Sequence, residues 1–157
     1  STDEGYGYRM PIYWVFKLLS EQRGEFLVES RLQGENTIDA PKAGLYRDPE
    51  YTFPRVTHSA SVSHGVSGHS DKLYLALLNK DARQTVDVRI SVEDWPLKNV
   101  VEIHEVRADS YLAENTIKSP NTVTLAGPKV ERVEDSGMTY QLKPNTLAVL
   151  RFQSNID

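Results

Sequence analysis

Cysteine is absent from this 157-residue sequence. That excludes a disulfide scaffold and thiolate metal sites, and it leaves the compartment open. No apolar run approaches the roughly 20 residues that a membrane-crossing helix needs, so no membrane partner is expected. Excess positive charge is missing too: 18 Lys and Arg against 22 Asp and Glu leave a net charge of −4. A surface that neutralises phosphates requires the opposite balance, so nucleic acid is not expected as a partner. Internal repeats, low-complexity tracts and a signal-peptide pattern are all lacking. The chain opens Ser1-Thr2-Asp3-Glu4-Gly5 without an initiator Met, and the expectation is that it was trimmed from a longer protein. What remains is 39% apolar residues, enough for a packed core in one domain of ordinary size.

Only one segment reads as a helix. Pro11 suits a first helical position, where its missing N–H would have had no partner. Ile12, Val15, Phe16 and Leu19 then recur at helical spacing and predict one apolar stripe, with Gly24 as the stop. Tyr13, Trp14 and Leu18 widen that surface, and a helix so apolar wants burial on more than one side.

Beyond Gly24 the pattern changes to period two. Strands are expected over 26–33, 56–62, 72–78, 85–92, 100–107, 138–142 and 146–152, with weaker ones at 122–125 and 129–133. Turn residues separate them, including Asn79-Lys80-Asp81 and Lys143-Pro144-Asn145. The stretch 34–55 carries Pro41, Gly44, Pro49 and Pro54 and reads as a long loop, unusual inside a compact domain unless it docks, functions or hides a short element. Eight or nine short strands with polar turns predict an all-β, antiparallel β-sandwich, jelly-roll-like, preceded by one helix foreign to that pattern.

Two groups of residues carry a family resemblance. Met10-Pro11-Ile12-Tyr13-Trp14-Val15-Phe16 resembles the Thr-Pro-x-Tyr-x-Val-Phe segment of the last barrel helix in glycoside hydrolase family 51 α-L-arabinofuranosidases. Ser59-Ala60-Ser61, Leu73 to Asp81 and Val86 to Ile90 are similar to the sandwich strands of that family. Glu114-Asn115-Thr116 with Pro120-Asn121 and Val123 resembles Asn-Thr-Phe-x-x-Pro-x-x-Val, and Leu142 to Leu150 its closing Leu-Pro-Pro-x-Ser-x-x-Val-Leu. Ile117 stands where the family usually has an aromatic, and 34–55 matches no family motif. The resemblance implies a (β/α)8 barrel followed by a jelly-roll sandwich, with residues 1–24 the last loop and helix of the barrel and 25–157 the C-terminal sandwich domain. It implies retaining hydrolysis of terminal α-L-arabinofuranosyl groups in the parent enzyme, using two glutamates on barrel strands that precede this chain. No catalytic residue is therefore expected here, and the alternative to a supporting domain is a carbohydrate-binding module of a glycoside hydrolase. The implied partners are the catalytic barrel of the same polypeptide and arabinose-containing oligosaccharides; a homo-oligomer is compatible.

Candidate sites follow. Tyr6 and Tyr8, in the loop entering the helix, and Trp95, at a strand end, are candidate sugar contacts, although Trp95 reads more readily as a plug closing the sandwich. Tyr13, Trp14 and Phe16, with Tyr46, Tyr51 and Phe53 of the long loop, are the candidate interface with the barrel. His64, His69 and Asp71 lie in a Gly/Ser-rich turn that reads as an exposed hairpin connection, since a metal needs three or four ligands converging on a firm scaffold; neither metal nor cofactor is expected. Asp109 with Glu114, and Glu131 with Glu134 and Asp135, read as solvated surface.

Overall fold

The computed structural model describes residues 7–39, 52–66, 69–95, 97–134 and 137–154. Helix α1 spans Pro11–Glu21, with Met10 in extended conformation at its N-cap and Pro11 in the first turn. Among the described residues ten strands follow, eight of them overlapping segments where alternation of apolar residues placed strands. β1 (Phe26–Val28), β4 (Val56–Ser63), β5 (Lys72–Asn79), β10 (Thr146–Ser154), β7 (Leu97–Arg107) and β8 (Thr124–Arg132) form one sheet in that spatial order. All neighbours in it are antiparallel. β6 (Val86–Ile90) and β9 (Met138–Leu142) form a separate antiparallel pair.

Alternation decides which side each residue serves. In β10, Ala148, Leu150 and Phe152 point to the β6–β9 pair and join Leu73, Leu77, Val101, Ile103, Val88, Ile90, Tyr140 and Leu142 in the main core. The intervening Val149 faces the other way, joining Tyr74, Val106, Val123 and Leu18 of the helix in a second cluster. The six-stranded sheet is thus covered on both faces: by the β6–β9 pair on one, as a sandwich requires, and by α1 on the other. Helix α1 and the β6–β9 pair share one sheet as common floor.

Four details depart from the sequence expectation, each for a local reason. The strand expected over 26–33 stops at Val28, and a side-chain bond between Ser30 Oγ and His58 Nδ1 (2.8 Å) takes over from ladder pairing. The long stretch 34–55 carries a short antiparallel pair at its ends, β2 (Thr37–Asp39) with β3 (Thr52–Pro54). Next to it, Asn36 imitates a strand partner: its amide donates to the Val56 carbonyl at 2.8 Å and accepts from the Val56 N–H at 2.7 Å. The two weak strands expected around Gly127-Pro128 are one, β8, whose register with β7 shifts between Ile103 and Glu105. Gly127 sits at that irregularity with φ +116°, and a Cβ there would meet the Ile103 carbonyl at 2.6 Å, so the position takes only glycine without strain. Gly24 does not cap the helix, which ends at Glu21 with Gln22 as its C-cap. It lies instead against β4, where a Cβ would fall 2.4 Å from the Val62 backbone, and its N–H donates to Ser61 Oγ at 2.8 Å.

Candidate functional site

The 3.6-residue period divides α1 into two apolar faces. Leu18 is fully buried, and Trp14 and Val15 pack beside it on the sheet. Opposite them, Ile12, Tyr13, Phe16 and Leu19 remain 54%, 41%, 68% and 38% exposed. The stripe expected from sequence therefore splits: Val15 meets the sandwich, whereas Ile12, Phe16 and Leu19 do not. A helix apolar nearly all round gives no sequence signal of which side meets the sheet first. Here the i, i+4 pair Trp14 and Leu18 sets the docked face.

One buried amide fastens the segment before this helix. Asn115, 2% exposed, donates to the Arg9 carbonyl at 2.6 Å and to the Val123 carbonyl at 2.8 Å. Its oxygen accepts the Val123 N–H at 2.7 Å. Three bonds from one side chain thus join the entrance of α1 to the loop 113–123 and the start of β8. The Arg9 guanidinium lies 5.1 Å from the Tyr13 ring centre and 5.4 Å from that of Trp14, within cation–π range. The Tyr13 and Trp14 rings meet edge to face at 5.0 Å. The Trp14 Nε1–H is out of contact with solvent and has no acceptor among the described residues.

Between the helix entrance and the loop runs an open cleft of about 400 Å³, lined by Gly7, Tyr8, Arg9, Trp14, Pro120 and Asn121. Of the expected sugar contacts it holds Tyr8, 42% exposed. Arg9 and Asn115 carry the arrangement and went unassigned in sequence. The only signal for Arg9 was its place four and five residues before the Tyr13-Trp14 pair. Asn115 stood out only as the first residue of the motif that ends at Val123, its partner here, and nothing in that motif pointed to its bond with Arg9.

The other candidates fall elsewhere. Trp95 is half-buried against the edge of the main core with Val92, Leu97 and Met138. Phe53, half-buried in β3, has the Lys80 ammonium 5.1 Å from its ring centre. Tyr6, Tyr46 and Tyr51 lie outside the described residues. His64 Nδ1 sits 3.2 Å from Asp71 Oδ2. The Gly65 backbone N–H, then the His64 ring, hold the Asp71 carboxyl below its ordinary range. His69 turns to the Val66 carbonyl at 3.1 Å, away from that pair, and no group of three His, Cys, Asp or Glu converges on a metal position among the described residues. Asp109 pairs with Arg107, and Glu131 with Lys129. His104 faces the α1 side of the sheet, 9% exposed. Burial, and then the Arg151 charge, lower its pKa below the ordinary 6.5.

Comparison with known proteins adds a family and a fold. The family model described as the α-L-arabinofuranosidase C-terminal domain matches residues 1–146. No curated protein matches the chain. Among solved structures, the chain is similar to the α-L-arabinofuranosidase from Thermotoga maritima in complex with arabinose, with a TM-score of 0.73 and 23% identity over 93% of this chain and 29% of that one. The thermostable family 51 enzyme from Thermotoga petrophila gives 0.69 and 23% over 92% and 29%. A family 51 α-L-arabinofuranosidase from Bifidobacterium longum gives 0.67 and 14% over 94% and 25%. The chain thus spans under a third of the length of these relatives.

Proposed function

This chain belongs to the α-L-arabinofuranosidase C-terminal domain family, and from that premise we propose that it is the non-catalytic β-sandwich that buttresses the barrel of such an enzyme. In this reading residues 1–24 are the last loop and helix of a (β/α)8 barrel and 25–157 are the sandwich. Helix α1 is shared: Trp14, Val15 and Leu18 serve the sandwich, and Ile12, Tyr13, Phe16 and Leu19 serve the barrel. The parent reaction is retaining release of terminal α-L-arabinofuranosyl groups. It needs a nucleophile and an acid/base carboxyl roughly 5–5.5 Å apart, and both belong to barrel strands that precede α1.

The observation that carries the proposal is the second apolar face. Four large apolar side chains on one side of a single helix are each between 38% and 68% exposed. Covering each recovers on the order of 1 kcal/mol, about half the value of burying such a side chain from full exposure. An isolated sandwich gains nothing from such a face, whereas a helix held between two bodies requires it. Trp95 speaks against a sugar-stacking role for itself, since its ring is already engaged at the core edge.

The chain by itself is expected to show no turnover of 4-nitrophenyl α-L-arabinofuranoside above the buffer rate, measured by nitrophenolate release. Sustained release that tracks the protein through purification would overturn the non-catalytic assignment.

A further inference from the structure

The cleft at the entrance of α1 has the chemistry of a ligand site that the supporting role does not explain. Its walls are two aromatic residues, Tyr8 and Trp14, a rigid proline, Pro120, an amide, Asn121, and one cation, Arg9. No carboxylate lines it among the described residues. Arg9 is the unusual member. Its guanidinium lies within cation–π range of Tyr13 and Trp14, and it has no ion pair with a described carboxylate, although the chain carries 22 acidic residues. A cation–π contact uses the charge of a guanidinium without consuming its N–H donors, which stay free to donate in the fork geometry that matches a carboxylate. The walls are also fixed in advance: Asn115 ties the Arg9 carbonyl to Val123, so the arginine backbone and the Pro120–Asn121 loop keep one spacing. Pre-formed walls reduce the ordering cost of binding. A volume of about 400 Å³ lies within the range of small-molecule clefts, ~300–1,000 Å³.

We propose that this cleft is a saccharide subsite selective for a sugar ring bearing a carboxylate, a uronate branch, with Arg9 gripping the carboxylate, Tyr8 and Trp14 offering aromatic surface to the ring, and Asn121 meeting a hydroxyl. The choice of a saccharide among carboxylate ligands rests on the proposed place of the domain in a glycosidase. Helices of a barrel begin at its catalytic face, so in that reading the entrance of α1 opens on the rim where a substituted polysaccharide backbone passes. The subsite would hold an acidic branch while the neutral arabinofuranosyl group is cleaved elsewhere.

The test uses the two indole N–H signals of the chain in nitrogen–proton correlation spectra, Trp14 for the cleft and Trp95 as internal control. Three ligands are titrated: a xylo-oligosaccharide with one glucuronic acid branch, the same oligosaccharide without the branch, and inorganic phosphate. The acidic oligosaccharide is expected to shift the Trp14 signal saturably and to leave Trp95 unmoved, with the neutral one about tenfold weaker or more. Arg9→Gln, whose side chain makes no hydrogen bond to lose on folding, should reduce the affinity for the acidic ligand by a similar factor. Arg9→Lys should fall between the two. Equal affinity for both oligosaccharides, a response to phosphate as strong as to the acidic sugar, a shift at Trp95 instead, or silence at Trp14 would each overturn the subsite. Silence in the titration together with absent arabinofuranosidase turnover would remove the subsite and leave the supporting role standing. Turnover by the chain would remove that role whatever the titration gives.

Discussion

Replacing Leu18 with alanine is expected to release helix α1 from the sandwich while both sheets stay folded. Leu18 is wholly out of solvent among Tyr74, Val106, Val123 and Val149, and Leu→Ala changes at such sites cost about 2–5 kcal/mol. Nothing else on the docked face can compensate: Trp14 and Val15 are only half-buried, and the remaining large side chains of the helix point outward. The main core lies on the opposite side of the six-stranded sheet and contains no residue of α1. The loss therefore falls on one interface, and it is capped by the free energy of helix docking, after which the helix lifts off. Amide protection in α1 should drop by at least about 30-fold, the equivalent of ~2 kcal/mol, and the dispersed signals of β5, β6, β9 and β10 should persist. Loss of every signal in one step would show that helix and sandwich form a single cooperative unit.

A comparable effect is expected at Asn115, by hydrogen bonding in place of packing. Asn115→Ala deletes two donors and one acceptor at a position 2% exposed. The Val123 N–H and the Val123 carbonyl, both bound at Asn115, lose that partner. Typical net values of about 1 kcal/mol per bond, and 1–3 kcal/mol for a buried group left unpaired, give a loss of roughly 2–4 kcal/mol. Asn115→Asp is the sharper comparison. It preserves shape and the acceptor for Val123 N–H, yet it sets a carboxylate against the Arg9 and Val123 carbonyls, where the amide donated. At neutral pH it should be at least as damaging as alanine. Lowering the pH to protonate the new carboxyl returns one donor, so its deficit relative to wild type should shrink in acid. Urea midpoints at two pH values check this, and an unchanged midpoint in both variants would remove Asn115 from the architecture.

Much of this fold was legible because burial in a sheet writes itself as alternation. Val86, Val88 and Ile90 announce β6, and Leu73 to Leu78 announces a central strand covered on both sides. Pro11 marked the start of α1. Long-range side-chain geometry was not legible. Asn36 standing in as a strand partner for Val56 leaves no local pattern, and the motif that contains Asn115 says nothing of its hold on Arg9 across 106 positions. Nor could periodicity choose between the faces of α1, since Ile12, Phe16 and Leu19 are as apolar as Trp14, Val15 and Leu18. The site was half visible for the same reason. Tyr8 stood out by type and place, whereas the value of Arg9 depends on its having no ion pair among the described residues, and pairing is a property of three dimensions.

A helix shared between two bodies requires that the outer face of α1 be built for cover. Sedimentation equilibrium of the chain over a wide concentration range measures this directly, with an Ile12→Glu, Phe16→Glu double variant alongside. The wild-type chain is expected to self-associate reversibly through that face, and the variant to stay monomeric with an unchanged circular dichroism spectrum. A strictly monomeric wild type whose helix is fully ordered, or a variant that associates as strongly as the wild type, would contradict it.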